Sequence, residues 1–226
     1  MKRAVISGAS SGVGLAIAKR FVTKGWSVVG LARTPLSLAS AAADLGSQFT
    51  YNATDVRDAA QVRTTFARLG AIDLLVNNAA VFQMKPFAEF DDREIDSLVD
   101  TNLKGVLRCT HAALPHMSPG SRIVQLGSVA GTHGIPNQAV YCATKWALEG
   151  FSDALAQELI AHGVLVTTIA PGGIDTPLWN AANPYPGPPG TLLTPDDIAR
   201  AVEFVADLPP HVVMKRMTLF PSNEWH

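Results

Sequence analysis

The sequence predicts a single α/β domain, doubly wound, with one parallel sheet covered by helices on both faces. Three observations predict it. Short apolar, β-branched runs alternate with helical patterns along the chain. A glycine-rich turn joins the first strand to the first helix. Residues able to do chemistry fall just after strands, where open α/β sheets bind ligands. With 226 residues and 47% hydrophobic content, the chain can fill one sizeable core.

The elements follow in order. Ala4-Val5-Ile6 marks a first strand over Arg3–Ser7. The turn Ser7-Gly8-Ala9-Ser10-Ser11-Gly12-Val13-Gly14 opens a helix over Gly12–Lys24, where Leu15, Ala16, Ala18, Phe21 and Val22 recur at helical spacing. Strands are then predicted at Ser27–Leu31, Gln48–Asn52, Ile72–Val76, Arg122–Leu126, Val164–Ala170 and Met217–Phe220. Helices are predicted between them at Leu36–Leu45, Ala59–Leu69, Asp92–Met117, Gln138–His162 and Pro195–Ala206. Four prolines exclude helix and central strand from Asn183-Pro184-Tyr185-Pro186-Gly187-Pro188-Pro189-Gly190. That loop is either an exposed connector or a lid, and its length and the nearby Trp179 favour a lid over 176–194.

Composition excludes several classes. A net charge of −1 and 16% charged residues leave no basic stripe for nucleic acid. Lys2-Arg3 and Lys215-Arg216 read as strand flanks. Cys109 and Cys142 make no disulfide framework and fit a reducing, cytoplasmic setting. Cys142 reads as packing rather than a reactive thiol. The chain enters a strand at once, so no signal peptide is expected, and no apolar run reaches the ~18 residues of a membrane span. No histidine pair has zinc spacing, so no metal is expected. His133 reads as a loop residue, with a substrate contact as the other reading.

The turn supplies a dinucleotide-binding context of strand, glycine turn and helix. Gly8 allows the tight turn, Gly12 lets a pyrophosphate approach, and Gly14 lets helix and strand pack closely. The helix N-terminus offers N–H groups to phosphate. Tyr141 and Lys145, four apart, share one helix face. A phenol titrates near ~10, and a neighbouring ammonium lowers that value, which suits acid/base work at neutral pH.

The turn, Asp55-Val56, Asn77-Asn78-Ala79-Ala80, Asn102, Ser128, Tyr141/Lys145 and Pro171-Gly172 with Thr176 occur in an order that resembles the short-chain dehydrogenase/reductase family. The resemblance runs from Lys2 to about Phe220. Ser7 stands where the family usually has Thr, and Ala80 where it usually has Gly. The resemblance implies a Rossmann-type sheet and hydride transfer between a nicotinamide and a small carbonyl or secondary alcohol.

It also implies residue roles. Tyr141 exchanges the proton, Lys145 lowers the Tyr141 pKa and bonds the nicotinamide ribose, and Ser128 steadies the carbonyl oxygen. Asn102 interrupts its helix and helps hold a relay water. The cofactor is expected against Gly8, Ser10, Ser11, Gly12, Val13 and Gly14 at the turn. Asn78, Ala79 and Ala80 lie beside it, and Pro171, Gly172, Ile174 and Thr176 hold the nicotinamide end. Leu178 and Trp179 cover the substrate. The segment Val28–Thr34 has no carboxylate to bind a ribose 2′-OH. Ala32 takes the acidic position, and the Arg33 fork with Thr34 suits a 2′-phosphate, so NADP(H) is expected over NAD(H). Asp55 would bond the adenine amino group, beside Val56.

Val106, Ala112, Trp146, Phe151 and Leu155 put apolar groups on more than one face of the two long helices, which predicts a homodimer or homotetramer. Two other readings stay open: an epimerase or dehydratase of the family's extended branch, and a catalytically silent nucleotide-sensing scaffold. Retention of Tyr141 and Lys145 argues against the scaffold. The physiological substrate and the reaction direction stay open.

Overall fold

Seven parallel strands form one sheet among the described residues of this computed structural model, 1–187 and 190–223. They are β1 (Arg3–Ser7), β2 (Ser27–Ala32), β3 (Phe49–Ala53), β4 (Leu74–Asn77), β5 (Arg122–Leu126), β6 (Leu165–Pro171) and β7 (Arg216–Leu219). Their order is β3-β2-β1-β4-β5-β6-β7. The chain winds outward from β1 to β3, then returns past β1 to β4. That reversal opens a crevice beyond the carboxyl ends of β1 and β4.

Parallel neighbours need crossovers, and helices supply them. They are α1 (Gly12–Thr23), α2 (Pro35–Leu45), α3 (Ala59–Phe66), α4 (Asp92–Val99), α5 (Gly105–Ala113), α6 (Ala139–Leu159) and α7 (Pro195–Asp207). Strand side chains alternate between two cores. Ala4, Ile6, Leu74, Val76 and Val124 pack with Ile17, Phe21, Leu38 and Val202 of α1, α2 and α7. Val5, Leu75 and Ile123 pack with Val62, Phe66, Cys109 and Leu155 of α3, α5 and α6. Burial on both faces explains why the strands read as unbroken apolar runs. Each fully buried Ile, Leu or Phe contributes roughly 1.5–3 kcal/mol.

Boundaries move where hydrogen bonds dictate. Ile72 is buried, but its N–H donates to the His116 carbonyl, so β4 begins later than expected. α3 closes at Phe66 because Arg68 and Leu69 donate to Thr65 and Phe66, three residues back. The single helix expected over Asp92–Met117 is four pieces. A π-helical turn at Asp100–Lys104 separates α4 from α5, and a 3-10 turn at Leu114–His116 follows α5. Pro115 lacks the N–H that α-helix would need there. Capping boxes at Asp91/Glu94 and Thr194/Asp197 start α4 and α7. Among the described residues no helix is long and apolar enough to cross a membrane.

Candidate active site

The β1–α1 turn is built around Ser7 and Asn78. The Ser7 hydroxyl accepts from the Asn78 and Ala79 N–H groups, both at 3.0 Å, and Asn78 Nδ2 donates to the Ser7 and Gly8 carbonyls at 2.9 and 3.2 Å. Ser7 therefore ties the ends of β1 and β4 together with the hydroxyl it shares with Thr. Gly8 has φ +70°, which a side chain would resist. A Cβ at Gly14 would lie 2.2 Å from the Gly8 carbonyl oxygen. Gly14 thus packs beneath the turn, the close packing expected of it, and is absent from the crevice lining. Ser11 precedes α1 without capping it through its side chain, and no acid lies in the first turn. The crevice therefore meets a bare, electropositive helix end, which fits a pyrophosphate.

A cavity of about 480 Å³ runs from the ends of β2 and β3 past this turn to the start of α6. Gly8, Ser10, Ser11, Gly12 and Val13 line it at the turn, and Arg33, Thr34, Asp55 and Val56 line its far end. The Arg33 guanidinium is solvent-facing and makes no hydrogen bond among the described residues. Arg57 grips the Asp55 carboxylate at 2.7 and 3.1 Å and holds its pKa below the usual range. An ionised carboxylate still has lone pairs to accept from another donor. Asn78, Ala79, Ala80, Pro171, Gly172, Ile174 and Thr176 continue the lining. The methyl group of Thr176 lies 3.4 Å from where a Gly12 side chain would begin, so the segment after β6 closes down on the turn.

Ser128 ends the loop after β5, and Tyr141 and Lys145 rise from α6 across from it; all three line the cavity. Burial pushes the Tyr141 phenol up to about 12, and its hydrogen bond with Ser128 opposes that rise. Lys145 Nζ donates to the Leu126 carbonyl at 2.7 Å and lies 5.6 Å from the Tyr141 ring centroid. Burial draws Lys145 down to about 8, against the opposing charge of Glu149. The expected lowering of the Tyr141 pKa by Lys145 is therefore not found in the protein alone, because desolvation dominates both groups.

That burial has a consequence for stability. Unfolded lysine titrates near ~10.4, so between pH ~8 and ~10 the unfolded chain binds more protons and stability rises with pH. Lys145→Met removes the titrating group. The melting temperature of the parent is expected to climb relative to the variant across that window. A constant gap between the two melting curves contradicts the burial account.

Asn102 is fully buried and does not line the cavity. Its Oδ1 accepts from the Val81 N–H and its Nδ2 donates to the Val81 carbonyl, both at 2.8 Å. It stands in a helix interruption, and its side chain clamps the segment after β4. His133 and Cys142 lie outside the cavity lining, and Cys142 Sγ meets the His133 carbonyl at 3.7 Å. The described residues contain no cluster of metal-binding side chains. Val106 and Leu155 are buried within the chain, and Ala112 and Phe151 pack against the same core. Of the five residues read as an intersubunit surface, Trp146 is the large exposed one, at 53%.

Leu178 and Trp179 line the cavity as expected, and residues missed in the sequence join them. The Phe82 ring stands edge-on to Tyr141 at 4.9 Å and to Trp179 at 5.0 Å, and Trp179 meets Tyr185 at 5.2 Å. Asn183 Oδ1 accepts from the Met84 N–H at 2.7 Å, which fastens this cover to the loop after β4. Pro188 and Pro189 of the expected lid lie outside the described residues. Glu149, one turn beyond Lys145, was also missed. Arg216 of β7 holds its Oε2 at 2.7 and 3.1 Å. Its four-residue spacing from Lys145 was the available signal.

Comparison with known proteins agrees with this geometry. Residues 2–186 match the short chain dehydrogenase family. The chain is 36% identical to 3-oxoacyl-(acyl-carrier-protein) reductase FabG of Vibrio harveyi, over 91% of this chain and 89% of that protein. Its backbone superposes on a closed form of serine dehydrogenase complexed with NADP+ with TM-score 0.91 at 31% identity, covering 99% and 96% of the two chains. A 3-ketoacyl-(acyl-carrier-protein) reductase from Brucella melitensis complexed with NADH gives 0.88 at 28% identity, covering 98% and 97%. With these matches over nearly the whole chain, it belongs to the short-chain dehydrogenase/reductase family of NAD(P)-dependent oxidoreductases.

Proposed function

We propose that the protein is an NADP(H)-dependent oxidoreductase acting on a small carbonyl compound or the matching secondary alcohol. One observation carries this: a single cavity joins Arg33, the bare end of α1, and the Ser128/Tyr141/Lys145 group. The nicotinamide supplies or accepts the hydride. Tyr141, held protonated by burial, donates a proton to the carbonyl oxygen in reduction. Ser128 donates to the same oxygen and steadies its charge. Lys145 supports the ribose and the Tyr141 hydroxyl. Arg33 and Thr34 grip a 2′-phosphate, and Asp55 accepts from the adenine amino group. Incubation with NADPH and a panel of ketones and aldehydes tests the reading. Oxidation of NADPH that depends on the carbonyl supports it. Binding without turnover of any carbonyl would favour a silent nucleotide-sensing scaffold.

Residues 176–194 form the substrate lid in this reading, with Trp179 and Tyr185 as its apolar underside and Thr176 holding the carboxamide. Trp179→Ala is expected to raise KM for hydrophobic ketones about fivefold while NADPH affinity changes less. Equal loss of both affinities contradicts a substrate-covering role. The exposed Trp146 on α6 supports assembly through that helix into a symmetric dimer or tetramer. Light scattering is expected to give a multiple of 23.9 kDa at micromolar concentration, and the mass of one chain contradicts it. The two buried free thiols, one of them raised to about 12 at Cys109, support a reducing compartment such as the cytoplasm.

A further inference from the structure

Glu149 lies one turn beyond Lys145 on α6 and is only 6% exposed, although it carries a carboxyl group. Arg216 of β7 holds its Oε2 at 2.7 and 3.1 Å. Its Oε1 is buried with no hydrogen-bond partner among the described residues. Stability alone does not call for a carboxylate there, because an apolar side chain would fill the space without the desolvation penalty. The neighbours of Glu149 give it a use. A Cβ at Gly127 would lie 3.1 Å from Glu149 Oε1, and one at Gly131 would lie 3.1 Å from its Cγ. These glycines stand on either side of Ser128 in the chain. Glu149 therefore packs between the helix of Tyr141 and Lys145 and the loop of Ser128, and it is absent from the cavity lining itself.

Few charges surround Lys145. On α6, Tyr141 is held protonated by burial, and Asp153, one turn beyond Glu149, pairs with Lys215 at 3.3 Å. β6 and the Val129–Gly131 turn pack on α6 and carry no titratable side chain. α4 and the π-helical turn pack on it too. There Glu94 is paired with Lys85 and Asp100 with Lys104, and Asp92, Arg93 and Asp96 complete the charged set of α4. On β5, Arg122 is spent on the Leu208, Pro209 and Val212 carbonyls at the opposite end of the strand from Leu126. The charge that opposes loss of the Lys145 proton is that of Glu149. Arg216 keeps this carboxyl ionised by working against the rise that burial imposes.

We propose that Glu149 is a positioning residue for the active site: fixed by Arg216 behind Lys145, its carboxylate holds the lysine as an ammonium and so sustains turnover at alkaline pH. This rests on the oxidoreductase reading above, in which the Lys145 ammonium supports the ribose and the Tyr141 hydroxyl. Glu149 acts through Lys145 and touches neither substrate nor cofactor.

The test follows Lys145 directly. Cofactor-free protein labelled with carbon-13 at lysine Cε is titrated by NMR, the Lys145 signal being the one lost in Lys145→Met. The parent midpoint is expected at about pH 8. Glu149→Gln is expected to bring it about one pH unit lower, a tenfold easier loss of the proton. Glu149→Met fills the space without the charge and is expected to lower the midpoint as well. With NADPH and a turned-over carbonyl, the alkaline limb of kcat is expected to move down in step in both variants. A merely structural role has the opposite sign, because looser packing admits water and returns Lys145 towards ~10.4. A midpoint that stays or rises in the variants overturns the inference while the oxidoreductase reading stands. So does a midpoint that falls with no movement of the alkaline limb. No NADPH oxidation by the parent with any carbonyl of the panel overturns both readings.

Discussion

Tyr141→Phe is expected to lower carbonyl reduction by about 10²-fold or more, with the fold and NADPH binding retained. The substitution removes one oxygen and keeps the ring. The edge-on contact with Phe82 at 4.9 Å therefore survives, as does the ring beneath Lys145. What is lost is the proton donor beside Ser128. Burial holds that phenol at about 12, so it stays protonated throughout the range where enzymes are assayed. A group so placed carries its proton in the free protein and holds it more tightly than a free phenol does. Turnover at saturating NADPH, with NADPH affinity measured separately by fluorescence, separates the proton role from cofactor binding. Unchanged turnover refutes the assignment of Tyr141, and a parallel collapse of NADPH affinity would show a structural role instead.

Arg33→Ala is expected to weaken NADPH binding by about 10- to 100-fold and to leave NADH binding nearly unchanged. The end of β2 offers Ala32, paired in register with Ala53 of β3, and no acid for a ribose hydroxyl. The Arg33 guanidinium lines the cavity near Asp55, whose pKa its charge helps to lower, and makes no hydrogen bond among the described residues. Thr34 precedes α2 without capping it through its side chain, so its hydroxyl is free for a phosphate oxygen. Charge-assisted bonds of this kind contribute about 1.5–3 kcal/mol, and exposure to solvent makes the contribution salt-sensitive. Titration at two ionic strengths is expected to show NADPH preference shrinking as salt rises. Equal or tighter NADH binding by the parent protein contradicts the assignment.

The fold was legible because its strands are buried on both faces, which writes them as apolar runs such as Ala4-Val5-Ile6. The turn was legible because its glycines and serines have local conformational roles. Helical periodicity over Asp92–Met117 could not reveal the π-helical turn, because the contact beside it, Asn102 with Val81, spans twenty-one residues. Gly14 was legible as a packing glycine, since only a residue without a Cβ fits against the Gly8 carbonyl. The pKa of Tyr141 was misjudged for a related reason. Spacing shows that Lys145 is near, but burial depends on Phe82 and on the cover fastened through Asn183. Phe82 carries no motif of its own. The placement of Phe82 against Tyr141 comes from the loop after β4 reaching the start of α6. Val106 and Leu155 looked like surface because a helix packed on both a sheet and a neighbouring helix carries apolar groups on more than one face.

The most direct test of the central claim, that this cavity joins nicotinamide and carbonyl, uses NADPH deuterated at the transferable position of its nicotinamide. With ethyl acetoacetate as acceptor, mass spectrometry is expected to find one deuterium on the new carbinol carbon, and Tyr141→Phe is expected to form that product about 10²-fold more slowly. A carbinol without deuterium, or labelled product formed at the parent rate by Tyr141→Phe, would contradict the account.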